Sequence, residues 1–171
     1  MTPLPAVLGR DMELIAWRLD GARHAVDWDS GEGARVEGGR WNSMGQRAVY
    51  CSLDPATTIL ERVVHTGFAM LDAVAHVLTS LRIIDPKSVQ VIEPGDVPDA
   101  HWLRSGFPSA GQQVFGDALL QAHAIVVVPS VVSTHSWNLL FDPERARGAY
   151  ELQAQEAFAL DVRLQRPRSA T

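Results

Sequence analysis

Three side chains, spaced ten and eleven residues apart, carry the chemistry that this sequence could perform: Arg40, Tyr50 and Glu61. Arg40 follows two glycines, where the bare backbone leaves room for a ligand. Tyr50 lies between Val49 and Cys51 in an apolar run, so strand alternation places it on the opposite face from both. Taken singly, each residue also has a structural interpretation, a core tyrosine or a solvated helix glutamate. Together they form the strongest candidate site in the sequence.

The stretch from Ser30 to Ser52, SGEGARVEGGRWNSMGQRAVYCS, contains five glycines and three arginines. Such a composition is typical of phosphate-binding loops, but the lysine of a P-loop is absent. Gly31 and Gly33 are followed by Ala34, Arg35 and Val36 rather than by the third glycine of a dinucleotide fingerprint. A glycine-rich loop that only leads into a strand therefore remains an equally open interpretation.

Other catalytic and metal-binding patterns are missing from the sequence. The six histidines show no HExxH spacing and Cys51 is the single cysteine, so we expect neither a metal site nor a disulfide. Ser109 lies in FPSAG, where Phe107 replaces the first glycine of a serine-hydrolase elbow.

Length and charge set the class of protein. A chain of 171 residues with 46% hydrophobic residues predicts one domain with its own core. The net charge of -5 argues against direct binding of nucleic acid. The sequence shows no signal peptide and no apolar run long enough to span a membrane, so we expect a cytoplasmic protein without membrane contact.

Apolar and β-branched runs between polar or glycine-rich segments predict the strands. These runs lie at residues 14–19, 47–52, 74–84, 89–93, 124–130 and 157–164. Helices fall among them irregularly, which predicts an α+β fold rather than a regularly alternating α/β sheet.

Two helices are marked by caps or by apolar spacing. Asp54 and Pro55 begin the first and Gly67 ends it, with a predicted apolar stripe of Ile59, Leu60, Val63 and Val64. Glu61 is displaced from that stripe. The second helix spans 112–122, and its predicted buried face is Val114, Phe115, Ala118, Leu119 and Ala122. Residues 95–111 are predicted to form a loop.

Several segments, in this order, resemble the RES-domain toxins of bacterial toxin–antitoxin pairs: WRL, GEGARVEGGRWN, VY, LERVVH, VVVPS, WNLLFDPERA and FALDVRL. The resemblance covers a single domain of about residues 14–164, with tails at 1–13 and 165–171. It implies a fold similar to that of ADP-ribosyltransferase toxins, in which a split mixed β-sheet with peripheral helices holds NAD+ in a central cleft.

The resemblance also assigns roles to five residues. The Arg, Glu and Ser that name the family fall on Arg40, Glu61 and Ser130, and the family's strand arginine and tyrosine fall on Arg18 and Tyr50. Glu61, Arg40 and Tyr50 would form the catalytic set. Arg18 and Arg40 would pair with the diphosphate of NAD+, Tyr50 would stack on nicotinamide, and Ser130 would bind the ligand or orient Glu61.

The activity implied is that of a type II toxin, with NAD+ as its substrate and no metal. The toxin would cleave the nicotinamide–ribose bond and deplete NAD+ by hydrolysis or phosphorolysis. An alternative is a mono-ADP-ribosyltransferase with a protein acceptor, and a second is a non-catalytic module that binds a nucleotide or a partner. The resemblance further implies an Xre-type helix-turn-helix antitoxin as partner.

Two departures from the family pattern concern the C-terminal loop. Residues 142–145 read Asp-Pro-Glu-Arg where the family commonly has Asn-Pro-x-His. The predicted loop asparagine, Asn138, is followed by Leu139 instead of tyrosine. Both changes lie away from Arg40, Tyr50 and Glu61 in the sequence, so they bear on the loop rather than on the core chemistry.

Overall fold

A mixed β-sheet organises the chain in the computed structural model, which describes residues 13–102, 106 and 108–161. Within these residues the sheet has seven strands in the order β4-β5-β6-β2-β1-β3-β7, and only β4 and β5 run parallel. The predicted α+β fold with a mixed sheet is confirmed. The strands are β1 (Leu14–Gly21), β2 (Val49–Ser52), β3 (His76–Ile83), β4 (Gln90–Val91), β5 (Val126–Pro129), β6 (Trp137–Phe141) and β7 (Tyr150–Phe158).

The sheet is nearly divided between β1 and β2. These two strands share a single residue pair, Trp17 with Ser52. By contrast, β1 pairs with β3 along its whole length, and β2 pairs with β6 through all four of its residues. Two well-paired blocks of strands therefore separate at a seam, which is the split that the resemblance implied.

Four α-helices accompany the sheet in the described residues: α1 (Glu32–Glu37), α2 (Pro55–Thr66), α3 (Phe68–Ala73) and α4 (Ala110–Ala122). Helix α2 begins as predicted, because the Asp54 carboxylate accepts the backbone N–H of Thr57 at 2.8 Å. It ends as predicted at Gly67, whose φ of 77° favours glycine. Short 3₁₀ helices lie at Ala22–His24, Pro86–Ser88 and Pro94–Asp96.

The predicted stripe of α2 is only half buried. Ile59 and Val63 pack against a small cluster around Leu19 and Leu71, but Leu60 and Val64 are 42% and 63% exposed. The helix turns a polar side towards the sheet instead, where the Thr58 hydroxyl donates to the Trp17 carbonyl at 2.8 Å.

The predicted buried face of α4 is only partly correct: Phe115 and Leu119 pack, partly buried, against a core cluster. Gln112, Gly116 and Leu120 are its buried residues, whereas Val114 is 64% exposed. A Cβ atom at Gly116 would collide with the carbonyl of Trp41. Because glycine allows this close approach of backbone, the helix turns its glycine side inwards and several apolar side chains outwards.

Some elements escaped the sequence prediction. Strand β6 is buried at all five positions, so it shows no alternation, and α1 and α3 have six residues each. Asn138 belongs to β6 rather than to a loop. The last strand, β7, lies mostly before the predicted segment 157–164, of which residues 162–164 fall outside the described residues.

Alternate residues of β2 and β6 enter different parts of the core. Val49 and Cys51 belong to one cluster, and Tyr50 packs against another, as alternation predicted. Tyr50 pairs with Leu140, and Ser52 pairs with Asn138. Since residues two apart and residues paired across strands share a face, Tyr50, Ser52 and Asn138 lie on the same face.

Candidate active site

A cleft with a cavity volume of about 120 Å³ opens at the seam. It joins β1, β2, β6 and α2, and its lining residues are Trp17, Arg18, Leu19, Asp20, Tyr50, Cys51, Ser52, Thr58, Glu61, Arg62, His65 and Asn138. Pockets that enclose a whole drug-sized ligand measure about 300–1,000 Å³, so this cleft would hold only part of a dinucleotide.

Glu61 projects from α2 into this cleft, and two donors fix its carboxylate. The Ser130 hydroxyl donates to Oε1 at 2.8 Å, and the Asn138 amide donates to the same oxygen at 2.6 Å. Oε2 accepts no hydrogen bond from the residues that the structure describes. The two oxygens of this carboxylate thus differ, since Oε1 is held by two donors and Oε2 by none of the described residues.

Ser130 lies behind the carboxylate rather than in the cleft. It is fully buried, follows β5 directly, and its hydroxyl oxygen accepts the backbone N–H of Ser133 at 3.0 Å. That bond leaves the hydroxyl proton free for Glu61. The Ser130 hydroxyl is therefore placed so that it can orient Glu61.

Asn138 and Ser52 were missed as site residues. Asn138 donates to Glu61 through Nδ2 and accepts at Oδ1 from the Ser52 hydroxyl at 2.8 Å. The signal that could have found Asn138 is an amide within the apolar run WNLLF, because a buried amide needs partners. Nothing in the sequence marks Ser52 as its partner.

Tyr50 lines the cleft, and its hydroxyl is hydrogen-bonded within the protein. The hydroxyl donates to Asn42 Oδ1 at 2.7 Å and accepts the Trp41 N–H at 3.0 Å. Gly39 makes this possible, since a Cβ there would collide with the tyrosine hydroxyl. Burial raises the pKa of Tyr50 above its usual value, so the hydroxyl keeps its proton and its bond to Asn42 at an alkaline pH where a solvated tyrosine ionises.

Arg18 spans the gap where β1 and β2 part. Its Nη1 donates to the Tyr50 carbonyl at 2.8 Å, and its Nε lies 2.6 Å from Asp20 Oδ2. Arg62 of α2 approaches the same aspartate, with Nη1 at 3.9 Å from Oδ1. Two guanidinium groups and one carboxylate leave this wall of the cleft with a net positive charge.

Arg40 lies close to the cleft without lining it. Its guanidinium donates to the carbonyls of Trp102 at 2.8 Å and Gly106 at 3.4 Å. Burial lowers the pKa of Arg40, while the nearby Glu61 carboxylate acts in the opposite direction. The structure thus brings Arg18, Tyr50 and Glu61 into one cleft and places Arg40 and Ser130 beside it.

In the part of the chain that the structure describes, no group of three His, Cys, Asp or Glu side chains could hold a metal ion. No described helix is both long and apolar enough to cross a membrane.

Comparisons with known proteins agree with this architecture. A chain in the crystal structure of the M. tuberculosis MbcT–MbcA toxin–antitoxin complex superposes with a TM-score of 0.58 at 22% identity, over 85% of this chain and 84% of that one. At this identity the likeness shows the fold alone.

Two curated relatives match most of the sequence. The Prs ADP-ribosylating toxin of Sphingobium sp. is 34% identical over 134 residues, which are 74% of this chain and 81% of the relative. Toxin Res of Photorhabdus laumondii is 29% identical over 132 residues, 76% of this chain and 82% of the relative. The family model described as RES domain matches residues 15–164, and the chain therefore belongs to the RES-domain family.

Proposed function

We propose that this protein is the toxin of a toxin–antitoxin pair and that it cleaves the nicotinamide–ribose bond of NAD+. The observation that carries this proposal is the arrangement of Glu61. Its carboxylate stands in a cleft with one oxygen held by Ser130 and Asn138, and the other oxygen is left to a ligand. The name of one relative, ADP-ribosylating toxin, supports a reaction that uses NAD+, and the name of the other, Toxin Res, supports the role of a toxin.

A fixed carboxylate suits the chemistry of this bond. Nicotinamide is a cation in NAD+ and leaves as a neutral molecule, so positive charge develops on the ribose in the transition state. A carboxylate beside the anomeric carbon stabilises an oxocarbenium-like state electrostatically. Glu61 would supply that charge through Oε2, and it would also accept a hydrogen bond from a ribose hydroxyl.

The neighbouring residues would bind the rest of the substrate. The Tyr50 ring would stack on nicotinamide, because its hydroxyl is already bonded within the protein and the residue lines the cleft. Arg18 and Arg40 would pair with the diphosphate, for which the planar guanidinium group is well shaped. Arg40 would then exchange carbonyl contacts with the segment before α4 for contacts with phosphate.

The fate of the ADP-ribose defines two candidate functions. In the first, water or phosphate attacks the anomeric carbon, and the toxin depletes NAD+. In the second, a protein side chain attacks the anomeric carbon and becomes ADP-ribosylated. The 34% identity to a toxin named for ADP-ribosylation favours this second candidate.

We further propose that the partner is a helix-turn-helix antitoxin of the Xre type. The net charge of -5 suits a protein that leaves DNA binding to its partner. The similarity in fold to a chain of a toxin–antitoxin complex supports the proposal of an antitoxin partner.

One assay separates these functions. Purified protein is incubated with NAD+ labelled on the adenylate, with and without phosphate and with cell lysate, and both nicotinamide and label are followed. Nicotinamide release with label on small molecules supports depletion, and label on a lysate protein supports ADP-ribosylation. If no condition releases nicotinamide from the folded protein, the proposed activity is wrong.

A further inference from the structure

Asn138 donates a hydrogen bond to Glu61 and accepts one from Ser52, and the sequence marked neither Asn138 nor Ser52 as a site residue. We propose that Asn138 is a positioning residue that holds Glu61 in its reactive orientation, and that Ser52 acts through Asn138. This inference rests on the proposed function, because it assigns both residues a task in the same reaction.

The direction of the hydrogen bonds is set by their chemistry. A carboxylate can only accept, so Asn138 must turn its Nδ2–H towards Glu61 Oε1, at 2.6 Å. Its Oδ1 then faces Ser52, whose hydroxyl must donate, at 2.8 Å. The result is a directed chain from Ser52 through Asn138 to Glu61, in which each group has one possible orientation.

The sheet gives this chain a rigid base. Ser52 and Asn138 form a register pair between β2 and β6, and both side chains are buried. Glu61 comes instead from α2 and has a long side chain with several rotatable bonds. The Asn138 amide is fixed by the sheet, and its hydrogen bond therefore restricts the Glu61 side chain, which would otherwise sample several rotamers.

Asn138 and Ser130 support the carboxylate from different parts of the backbone. Ser130 follows β5 and is itself held by the N–H of Ser133, whereas Asn138 lies within β6. Both donate to Oε1. Loss of Asn138 would leave Glu61 anchored on one side and free to turn Oε2 away from the substrate.

Steady-state kinetics of nicotinamide release from NAD+ test the proposal. Because a hydrogen bond to a charged group is lost, Asn138→Ala should lower kcat about 50-fold and change KM less than about threefold. Ser52→Ala should lower kcat about tenfold. The double variant should be no slower than Asn138→Ala, since Ser52 acts only through the amide.

Ser80→Ala is the matched control. Ser80 is a buried serine of β3 that does not line the cleft, so its removal should leave kcat and KM unchanged. Circular dichroism and Tm are recorded for every variant. If Asn138→Ala does not fold, Asn138→Leu provides the same test, because leucine has nearly the shape of asparagine and has neither a donor nor a charge.

Two results overturn this inference while the proposed function stands: a kcat within twofold of wild type in the Asn138 variant, or losses that multiply in the double variant as for independent residues. A folded wild type that releases no nicotinamide overturns the proposed function and this inference together.

Discussion

Two depressions in this protein contain a carboxylate held by a hydroxyl group, and they differ in how the surrounding charges are arranged. The seam cleft contains Glu61 and has a cavity volume of about 120 Å³. The second depression has a volume of about 470 Å³ and is lined by Asp29, Ser30, Arg47, Pro143, Glu144, Arg147, Gly148 and Tyr150. There the Tyr150 hydroxyl donates to Asp29 at 2.6 Å.

In the second depression, charge is neutralised near the surface. Arg47 stands between Glu32 at 3.6 Å and Glu144 at 3.7 Å, and its side chain is 42% exposed. Such pairs are screened by water and contribute little. In the seam cleft, the buried neutral donors Ser130 and Asn138 converge on one oxygen of Glu61. Converging buried donors, rather than the volume of a cavity, therefore mark the candidate site.

The largest expected difference between the two depressions is the effect of their carboxylates, Glu61 and Asp29, on the rate of nicotinamide release. Glu61→Gln should lower nicotinamide release roughly 10³-fold, because the amide cannot stabilise the developing positive charge. Its Tm should change little, since the side chain keeps its shape. Asp29→Asn, the matched change in the second depression, should leave the rate within about twofold. Equal losses of rate in both variants would show that Glu61 has no special role in the reaction.

The next largest expected difference is between Arg40 and Arg47, in their effect on the KM for NAD+. Arg40→Ala should raise KM for NAD+ about tenfold with a smaller change in kcat, because a charged contact with the diphosphate is lost. Arg47→Ala removes an exposed guanidinium of the second depression and should leave both constants unchanged. Titration of NAD+ into an inactive Glu61→Gln background measures the binding effect directly. Unchanged affinity in the Arg40 variant would contradict the role proposed for it.

The Tyr50 hydroxyl should contribute to stability more than to the rate of the reaction. Tyr50→Phe keeps the ring but leaves Asn42 Oδ1 and the Trp41 N–H without their partner, so we expect a loss of about 1–3 kcal/mol in the free energy of unfolding. The kcat should fall less than about fivefold, because stacking needs only the ring. Tyr150→Phe should leave kcat unchanged. Urea unfolding and kinetics of both variants check this, and a large loss of kcat in Tyr50→Phe would give its hydroxyl a role in the reaction.

The smallest expected effect concerns alkaline pH. Burial raises the pKa of Tyr50, so the folded chain keeps a phenolic proton that the unfolded chain loses near pH 10. The contribution of Tyr50 to the free energy of unfolding is therefore fully present below about pH 10, and it decreases as the pH rises above that value. Burial likewise raises the pKa of Cys51 to about 12 and that of Tyr150 above its usual value. Tm measured from pH 8 to 11 should fall less steeply in Tyr50→Phe than in the wild type.

The sequence predicted those parts of the fold that depend on local signals. Asp54, Pro55 and Gly67 act within α2 itself, so its bounds could be read directly. The most buried residues of α4 could not be predicted from the sequence. They depend on the contact between Gly116 and Trp41, which lie far apart in the chain.

The same distinction applies to the candidate site. The resemblance pointed to Arg18, Arg40, Tyr50, Glu61 and Ser130, and their assignment stays a prediction. Ser52 and Asn138 lie 86 residues apart and meet only through the register of β2 and β6. No local pattern reports a register, so the chain of hydrogen bonds that ends on Glu61 became visible only in three dimensions.

The most direct test of the central claim is a crystal structure of Glu61→Gln bound to intact NAD+. We predict NAD+ in the seam cleft, with the anomeric carbon of the nicotinamide ribose within about 4 Å of the residue 61 side chain and the nicotinamide ring against Tyr50. NAD+ bound in the second depression around Asp29 and Tyr150, or anywhere else outside the seam, would contradict the account.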